Sequence, residues 1–216
     1  MQRKNKSKGF SLIELAIAMT VTLVLLGLIS TLFARASSTR NRESRRTDAL
    51  VSAQAALNVI SREISNSGYG IIGLNYGGTK YNAVSNNGLI LADCNSQRIH
   101  FRADIDNDTS TGDLGEDVTY FFDSTTRSIL RYDPNAAQKT SIVVNKISSI
   151  TLTYYDYTGN SSTPSAAKTV PTLDTSRVTI NITVDLDPVE GQPSNQKVKL
   201  ASDVTLRNSK FMLKQY

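Results

Sequence analysis

The chain has 216 residues, 39% hydrophobic and 20% charged, which suits one globular domain with an appendage and excludes a wholly disordered polypeptide. A single cysteine, Cys94, excludes an intrachain disulfide or a cysteine metal cage, and a single histidine, His100, excludes multi-histidine metal sites. The net charge of +5 does not mark a nucleic-acid binder: Arg3, Lys4, Lys6 and Lys8 fall within residues 1–9, and without them 20 basic residues face 19 acidic ones.

Residues 1–9 (MQRKNKSKG) form a basic, polar leader, and Leu15–Ala34 is a run of twenty residues without a charge. As a helix that run would be roughly 30 Å long, about the thickness of a bilayer core. The basic leader predicts that residues 1–9 stay cytoplasmic and that the rest of the chain faces outward. A secretory signal peptide is the plain alternative, with Ala34-Arg35-Ala36 as its cleavage site. Its apolar core, however, should run only about 7–15 residues. Nor has a signal peptide any use for a carboxylate at position 14, where Glu14 stands at the membrane edge.

The residues Lys8-Gly9-Phe10-Ser11-Leu12-Ile13-Glu14-Leu15, followed by a long apolar stretch, resemble the processing site of type IV prepilins and their pseudopilin relatives. The resemblance implies cleavage between Gly9 and Phe10 by a membrane prepilin peptidase and N-methylation of Phe10. It also makes Glu14 the assembly glutamate at the fifth mature position. Each residue has a physical reason. Gly9 opens the scissile bond to a protease at the membrane surface. Cleavage leaves a cationic amine on Phe10, and an intramembrane Glu14 needs a partner of that kind. A neighbouring subunit's amine would supply it, and the attraction strengthens at low dielectric.

Residues 35–48 are polar, with Arg35, Arg40, Arg42, Arg45 and Arg46 against Glu43 and Asp48. They read as a solvated helix face, a contact for anionic headgroups, or a contact for acidic patches on neighbouring subunits. Apolar residues then return at Leu50, Ala53, Leu57, Ile60 and Ile64, the stripe of an amphipathic helix lying on a core. No proline interrupts Phe10 to Ile64, and Ser67-Gly68-Tyr69-Gly70 is the predicted stop. One helix from Phe10 to about Asn66 would be roughly 85 Å long.

Beyond Gly70 the pattern is of short strands punctuated by Gly, Asn, Ser and Thr. Candidate strands are Leu89–Leu91, Ile99–Phe101, Val118–Phe122, Ile129–Tyr132, Ile142–Val144, Ile147–Tyr157, Val178–Leu186 and Val198–Leu206, with 159–175 as a long exposed loop. The expected fold class is α+β, a long helix laid on an antiparallel sheet, as in type IV pilins. The organisation expected is a leader (1–9), a transmembrane or filament-core helix (10–34), its amphipathic continuation (35–67) and a β-rich head (68–216).

Ile60–Gly70, Phe101–Tyr120 and Val204–Asn208 are similar to the corresponding stretches of PilW-type minor pilins and J-type pseudopilins. The C-terminal disulfide loop common in major pilins is absent from this sequence, which favours a minor subunit. The resemblance implies a subunit of the bacterial inner membrane, head outside the cytoplasm, that passes into a pilus or a periplasmic pseudopilus. Its partners would be prepilin peptidase and other minor and major pilin subunits, met through the N-terminal helix, with no nucleic acid. The alternatives are a type II secretion pseudopilin of the J kind and, from another class, a membrane-anchored or secreted β-rich binding domain.

Asp104-Ile105-Asp106-Asn107-Asp108 resembles the start of a calcium loop, so Asp104, Asp106 and Asp108 are candidate metal ligands. The EF-hand spacing then fails, with Thr109 rather than glycine at its sixth position and Gly115 at its twelfth. Asp113, Glu116 and Asp117 are available to complete an irregular site, and a solvated acidic turn is the plain alternative. Calcium is the one cofactor considered. His100 reads as structural and Cys94 as an inert thiol. No phosphate loop, nucleophile elbow or paired-acid motif is present in the sequence, and no enzymatic activity is expected.

Overall fold

With no proline to interrupt it, helix α1 runs unbroken over Leu12–Ser65. The computed structural model describes residues 11–71, 75–76, 79–80, 87–158, 163–186 and 196–214, and the chain divides into two units, Met1–Arg45 and Arg46–Tyr216. In the first unit every large apolar side chain from Leu12 to Phe33 is more than half exposed. The hydroxyls of this stretch are satisfied within the helix, Thr20 donating to the carbonyl of Ile17 (2.8 Å) and Thr22 to that of Ala18 (2.7 Å). Internal satisfaction is what a hydrocarbon surrounding demands of a polar group.

In the second unit α1 turns one face inward, and Ala53, Ala56, Leu57, Ile60 and Ile64 are buried. Leu50, expected in the stripe, is only partly buried, and Ala56 joins it instead. Each fully buried Leu or Ile stabilises the contact by about 1.5–3 kcal/mol relative to exposure, so these few side chains suffice to hold the helix to the β structure.

That structure comprises two main antiparallel sheets. One has the order β3 (Arg98–Arg102), β4 (Asp117–Asp123), β5 (Ser128–Tyr132), β6 (Thr140–Val144). The other has the order β7 (Ile147–Asp156), β8 (Thr175–Asp185), β9 (Lys197–Thr205). A two-stranded ribbon, β1 (Asn75–Tyr76) with β2 (Thr79–Lys80), and a last helical turn, α2 (Lys210–Leu213), complete the described elements. The inward faces of both main sheets share one core with α1, including Ile99, Phe101, Val118, Tyr120 and Ile129 from the first and Ile150, Leu152, Tyr154, Val178, Ile180 and Ile182 from the second. Backbone bonds join the sheets where their edges meet: Leu152 donates to the carbonyl of Ser96 (2.8 Å) and Ile147 to that of Arg127 (2.9 Å). The buried Tyr154 hydroxyl bonds the carbonyl of Asn95 at 3.0 Å, so its polar end is not left unpaired.

Past α1 the chain turns at Ser67–Gly68, where Gly68 takes φ 82° and its amide donates to the carbonyl of Arg102 (2.9 Å). Gly88 (φ 75°) lies so close that a Cβ there would sit 2.0 Å from the Gly68 amide nitrogen, so both the conformation and the space require glycine. The fully buried Asn87 ties this junction to the start of β8, donating to the carbonyls of Thr172 (3.0 Å) and Thr175 (2.8 Å).

Two expectations are corrected and one strand forms with a shallower burial than its neighbours. Leu89–Leu91 contributes one isolated bridge, Leu89 to Phe101, and then coils into the single 3-10 turn Leu91–Asp93. The candidate strand Val198–Leu206 forms as β9, in which Val204 is buried and Val198 and Leu200 are half-buried. The expected loop 159–175 is not wholly exposed: Lys168 bridges Tyr154 and ion-pairs with the buried Asp156, and Thr175 already belongs to β8. Residues 159–162 of that loop lie outside the described residues.

Candidate functional site

The candidate assembly segment is the start of α1. Gly9 and Phe10, the candidate cleavage pair, lie outside the described residues; Ser11 and Glu14 lie within them. Ser11 is the N-cap of α1, its hydroxyl oxygen accepting the Ile13 amide at 3.3 Å. Glu14, three positions on, reaches back so that its Oε2 accepts the Ser11 amide at 2.9 Å. The pair is a reciprocal capping box that satisfies two helix-end donors, and the carboxylate also faces the positive end of the helix dipole. The Ser-x-x-Glu spacing carries this signal in the sequence, where Glu14 was read only as a charge awaiting a partner.

The acidic loop between β3 and β4 brings the predicted ligands together. Asp104, Asp106 and Asp108 each offer an oxygen within 4.8 Å of the others, and Asp106, Asp113 and Glu116 form a second such group. Asp117 joins neither group. It lies on β4, where Arg102 is its cross-strand partner (Nε to Oδ2, 2.9 Å) and His100 Nε2 meets Oδ1 at 2.5 Å. His100 Nδ1 in turn meets Asp93 at 2.8 Å, so the lone histidine is a structural clasp between a turn and a strand. Burial works against the Asp117 charge, but the His100 hydrogen bond and the Arg102 guanidinium outweigh it and hold the carboxyl below the ordinary range.

Cys94 is buried against the His100 backbone, and that burial pushes its thiol up to about 11. A thiol so disfavoured as thiolate is a poor nucleophile, in line with the inert reading.

A second ionic cluster had no local signal in the sequence. Glu63 on α1 accepts from the Tyr120 hydroxyl (2.8 Å) and from Arg131 Nε (3.1 Å), and Arg131 Nη1 reaches the buried Asp133 at 3.1 Å. Asp133 also accepts the Gly115 amide at 2.9 Å, which ties the far end of the acidic loop into the same network. Burial, with the Glu63 carboxylate next, pushes the Tyr120 hydroxyl well above its ordinary value, so it stays a donor.

Residues 4–30 match the family model described as the prokaryotic N-terminal methylation motif, the type IV pilin-like prepilin signature. No curated protein and no solved structure matches the chain. The signature supports a type IV pilin- or pseudopilin-like protein, and one long N-terminal helix with antiparallel β-sheets is an α+β fold consistent with that class. The motif implies processing by prepilin peptidase and assembly with other pilins in general. Helix Leu12–Ser65 contains a window long and apolar enough to cross a membrane, none of it buried, consistent with an inner-membrane anchor.

Proposed function

We propose that the chain is a minor pilin of the PilW type that is processed between Gly9 and Phe10 and takes part in building a type IV pilus. The observation that supports this most is the methylation motif at residues 4–30 running into the apolar first part of α1, where every large apolar side chain from Leu12 to Phe33 is exposed. Removal of residues 1–9 leaves an amine on Phe10, which is methylated, and the apolar part of α1 then exchanges lipid for the matching helices of other subunits. In that setting the Glu14 carboxylate leaves the Ser11 amide and pairs with a neighbour's Phe10 amine, fixing the axial register. The lone buried Cys94 leaves no disulfide-bounded loop of the kind common in major pilins, which favours a minor subunit. The head acts as a structural and contact module without catalysis of its own.

Mass spectrometry of the mature N-terminus, from cells with and without prepilin peptidase, tests the reading. The expected result is an N-methylated Phe10 that depends on the peptidase, with the subunit recovered in sheared pili. A start at Ser37, or an uncleaved Met1, overturns it and leaves a secreted or simply anchored β domain. A methylated Phe10 in a subunit confined to the periplasm and required for protein secretion instead assigns a J-type pseudopilin.

A further inference from the structure

Past the uncharged run Leu15–Ala34, α1 carries Arg35, Arg40, Arg42, Arg45 and Arg46 and no lysine before its end at Ser65. The charge is graded along the helix. Residues 35–42 hold Arg35, Arg40 and Arg42 and no acid, a balance of +3. Residues 43–48 set Arg45 and Arg46 against Glu43 and Asp48 and balance to zero. The unbalanced half therefore lies next to the segment of hydrocarbon length. Arg35 and Arg40 are exposed, and among the described residues neither has an ion-pair partner.

With the apolar run spanning a bilayer, the height and direction of these cations follow from helix geometry. The headgroup layer on each side is about 5–8 Å thick, and Arg40 stands about 7.5 Å beyond Arg35, Arg42 about 10 Å. Helical Cα–Cβ bonds tilt toward the N-terminus, so side chains on this stretch lean back toward the span, and the long arginine stem carries its charge into the headgroup layer. At about 100° per residue, Arg35 and Arg42 share one face and Arg40 falls about 140–160° away round the helix. A protein surface docked on one face meets one of these groups and misses the other, whereas a lipid annulus surrounds the helix and meets both. The guanidinium fork also matches the oxygens of a phosphate two at a time.

We propose that residues 35–42 of α1 bind the phosphates of anionic phospholipids in the leaflet opposite the basic leader. Arg35 and Arg40 sit in the headgroup layer and Arg42 at its outer edge, while Arg45 and Arg46, balanced by Glu43 and Asp48, contribute little. The contact requires only that α1 spans a bilayer. Its consequence rests on the pilin reading: the phosphates hold the unassembled subunit at a fixed depth, and a subunit leaving for a filament gives them up.

The sequence has no tryptophan, so Phe33→Trp, a conservative change at a position 73% exposed and just before Arg35, gives a single reporter at the right depth. The full chain carrying it is reconstituted in vesicles that mix phosphatidylglycerol with phosphatidylcholine, with bromine on the acyl chains of one lipid or the other. Quenching of the reporter reads which lipid surrounds that end of the span. Phosphatidylglycerol should be enriched about threefold or more at low salt, and the preference should fall toward one as the Debye length shrinks to about 3 Å at 1 M. The triple variant Arg35→Gln, Arg40→Gln, Arg42→Gln should show no preference, and the double variant Arg45→Gln, Arg46→Gln should keep it. Equal quenching by both lipids around the unsubstituted arginines, a preference that survives in the triple variant, or an equal loss in the double variant would each overturn the assignment. Equal quenching together with poor filament incorporation of the triple variant would give the arginines to acidic patches on neighbouring subunits instead. No quenching by either lipid would overturn the span itself, and the mass of the mature N-terminus, which this measurement does not read, tests the pilin reading separately.

Discussion

The helix-cap role of Glu14 and its proposed pairing role would be confused by ordinary alanine substitution, and three variants separate them. In the isolated chain its Oε2 accepts the Ser11 amide at 2.9 Å, one arm of a capping box at an exposed helix end. Losing that arm costs about 0.5–1 kcal/mol, a factor of roughly two to five. The proposed pairing with a neighbour's Phe10 amine is a different magnitude. Two unit charges 4 Å apart attract by about 4 kcal/mol at an effective dielectric of 20, and after desolvation a charge-assisted bond retains about 1.5–3 kcal/mol. That corresponds to roughly ten- to hundredfold in subunit incorporation. Glu14→Gln keeps an oxygen for the Ser11 amide but removes the charge, so incorporation should fall about tenfold or more. Glu14→Ala should fall slightly further, and Ser11→Ala, which loses only the 3.3 Å bond from the Ile13 amide, should stay within a few fold of wild type. The assay is the ratio of subunit in sheared filaments to subunit in membranes, with the mass of the mature N-terminus confirming cleavage in all three. Normal incorporation of Glu14→Gln beside a defective Glu14→Ala would refute the pairing and leave Glu14 as a helix cap.

Two further expectations concern the head. Arg131→Met leaves Asp133, 1% exposed, without its cation and frees Glu63 and Tyr120 from a shared partner, at a cost of about 2–4 kcal/mol. Calorimetry of the full chain in detergent should show the midpoint fall by about 5–10 °C, and a drop under about 2 °C would show that the network does not anchor α1. Asp117 titrates below its ordinary value in the folded chain, so its contribution to stability is complete above about pH 4 and drains away as pH falls through the folded value. Denaturation midpoints between about pH 2 and 6 should therefore drop less steeply in Asp117→Asn than in wild type, and parallel curves would exclude the His100–Asp117–Arg102 clasp as the cause.

Features with a short period were legible in the sequence. The uncharged run, the Leu57–Ile60–Ile64 stripe and the alternation from Val178 to Val184 all obey helix or strand spacing, and each gives the element it predicts. Leu89–Leu91 misled because three apolar residues satisfy either period. Its fate is decided by Asp93, which the 3-10 turn carries to His100 Nδ1. The Glu63–Arg131 bond spans 68 positions and leaves no local trace, so only the packed fold reveals why an acid near the end of α1 is kept there.

The acidic loop shows most plainly where spacing rules stop being physical arguments. An EF-hand calls for glycine at its sixth position because the chain must turn sharply there, and this chain has Thr109. Thr109 nevertheless takes φ 72° and Asn107 takes φ 59°, so the turn is made without glycine. Both residues accept an unfavourable conformation that the surrounding contacts must over-determine. Asp104 supplies part of that determination by accepting the Asp108 and Thr109 amides, and Glu116 supplies the rest from beyond the expected twelfth position by accepting the Ile105 amide. The motif counts residues along the chain, whereas a cation responds to oxygens in space. By that second criterion Asp106, exposed and common to both carboxylate groups, stands nearer to Asp113 and Glu116 than the motif's spacing provides for.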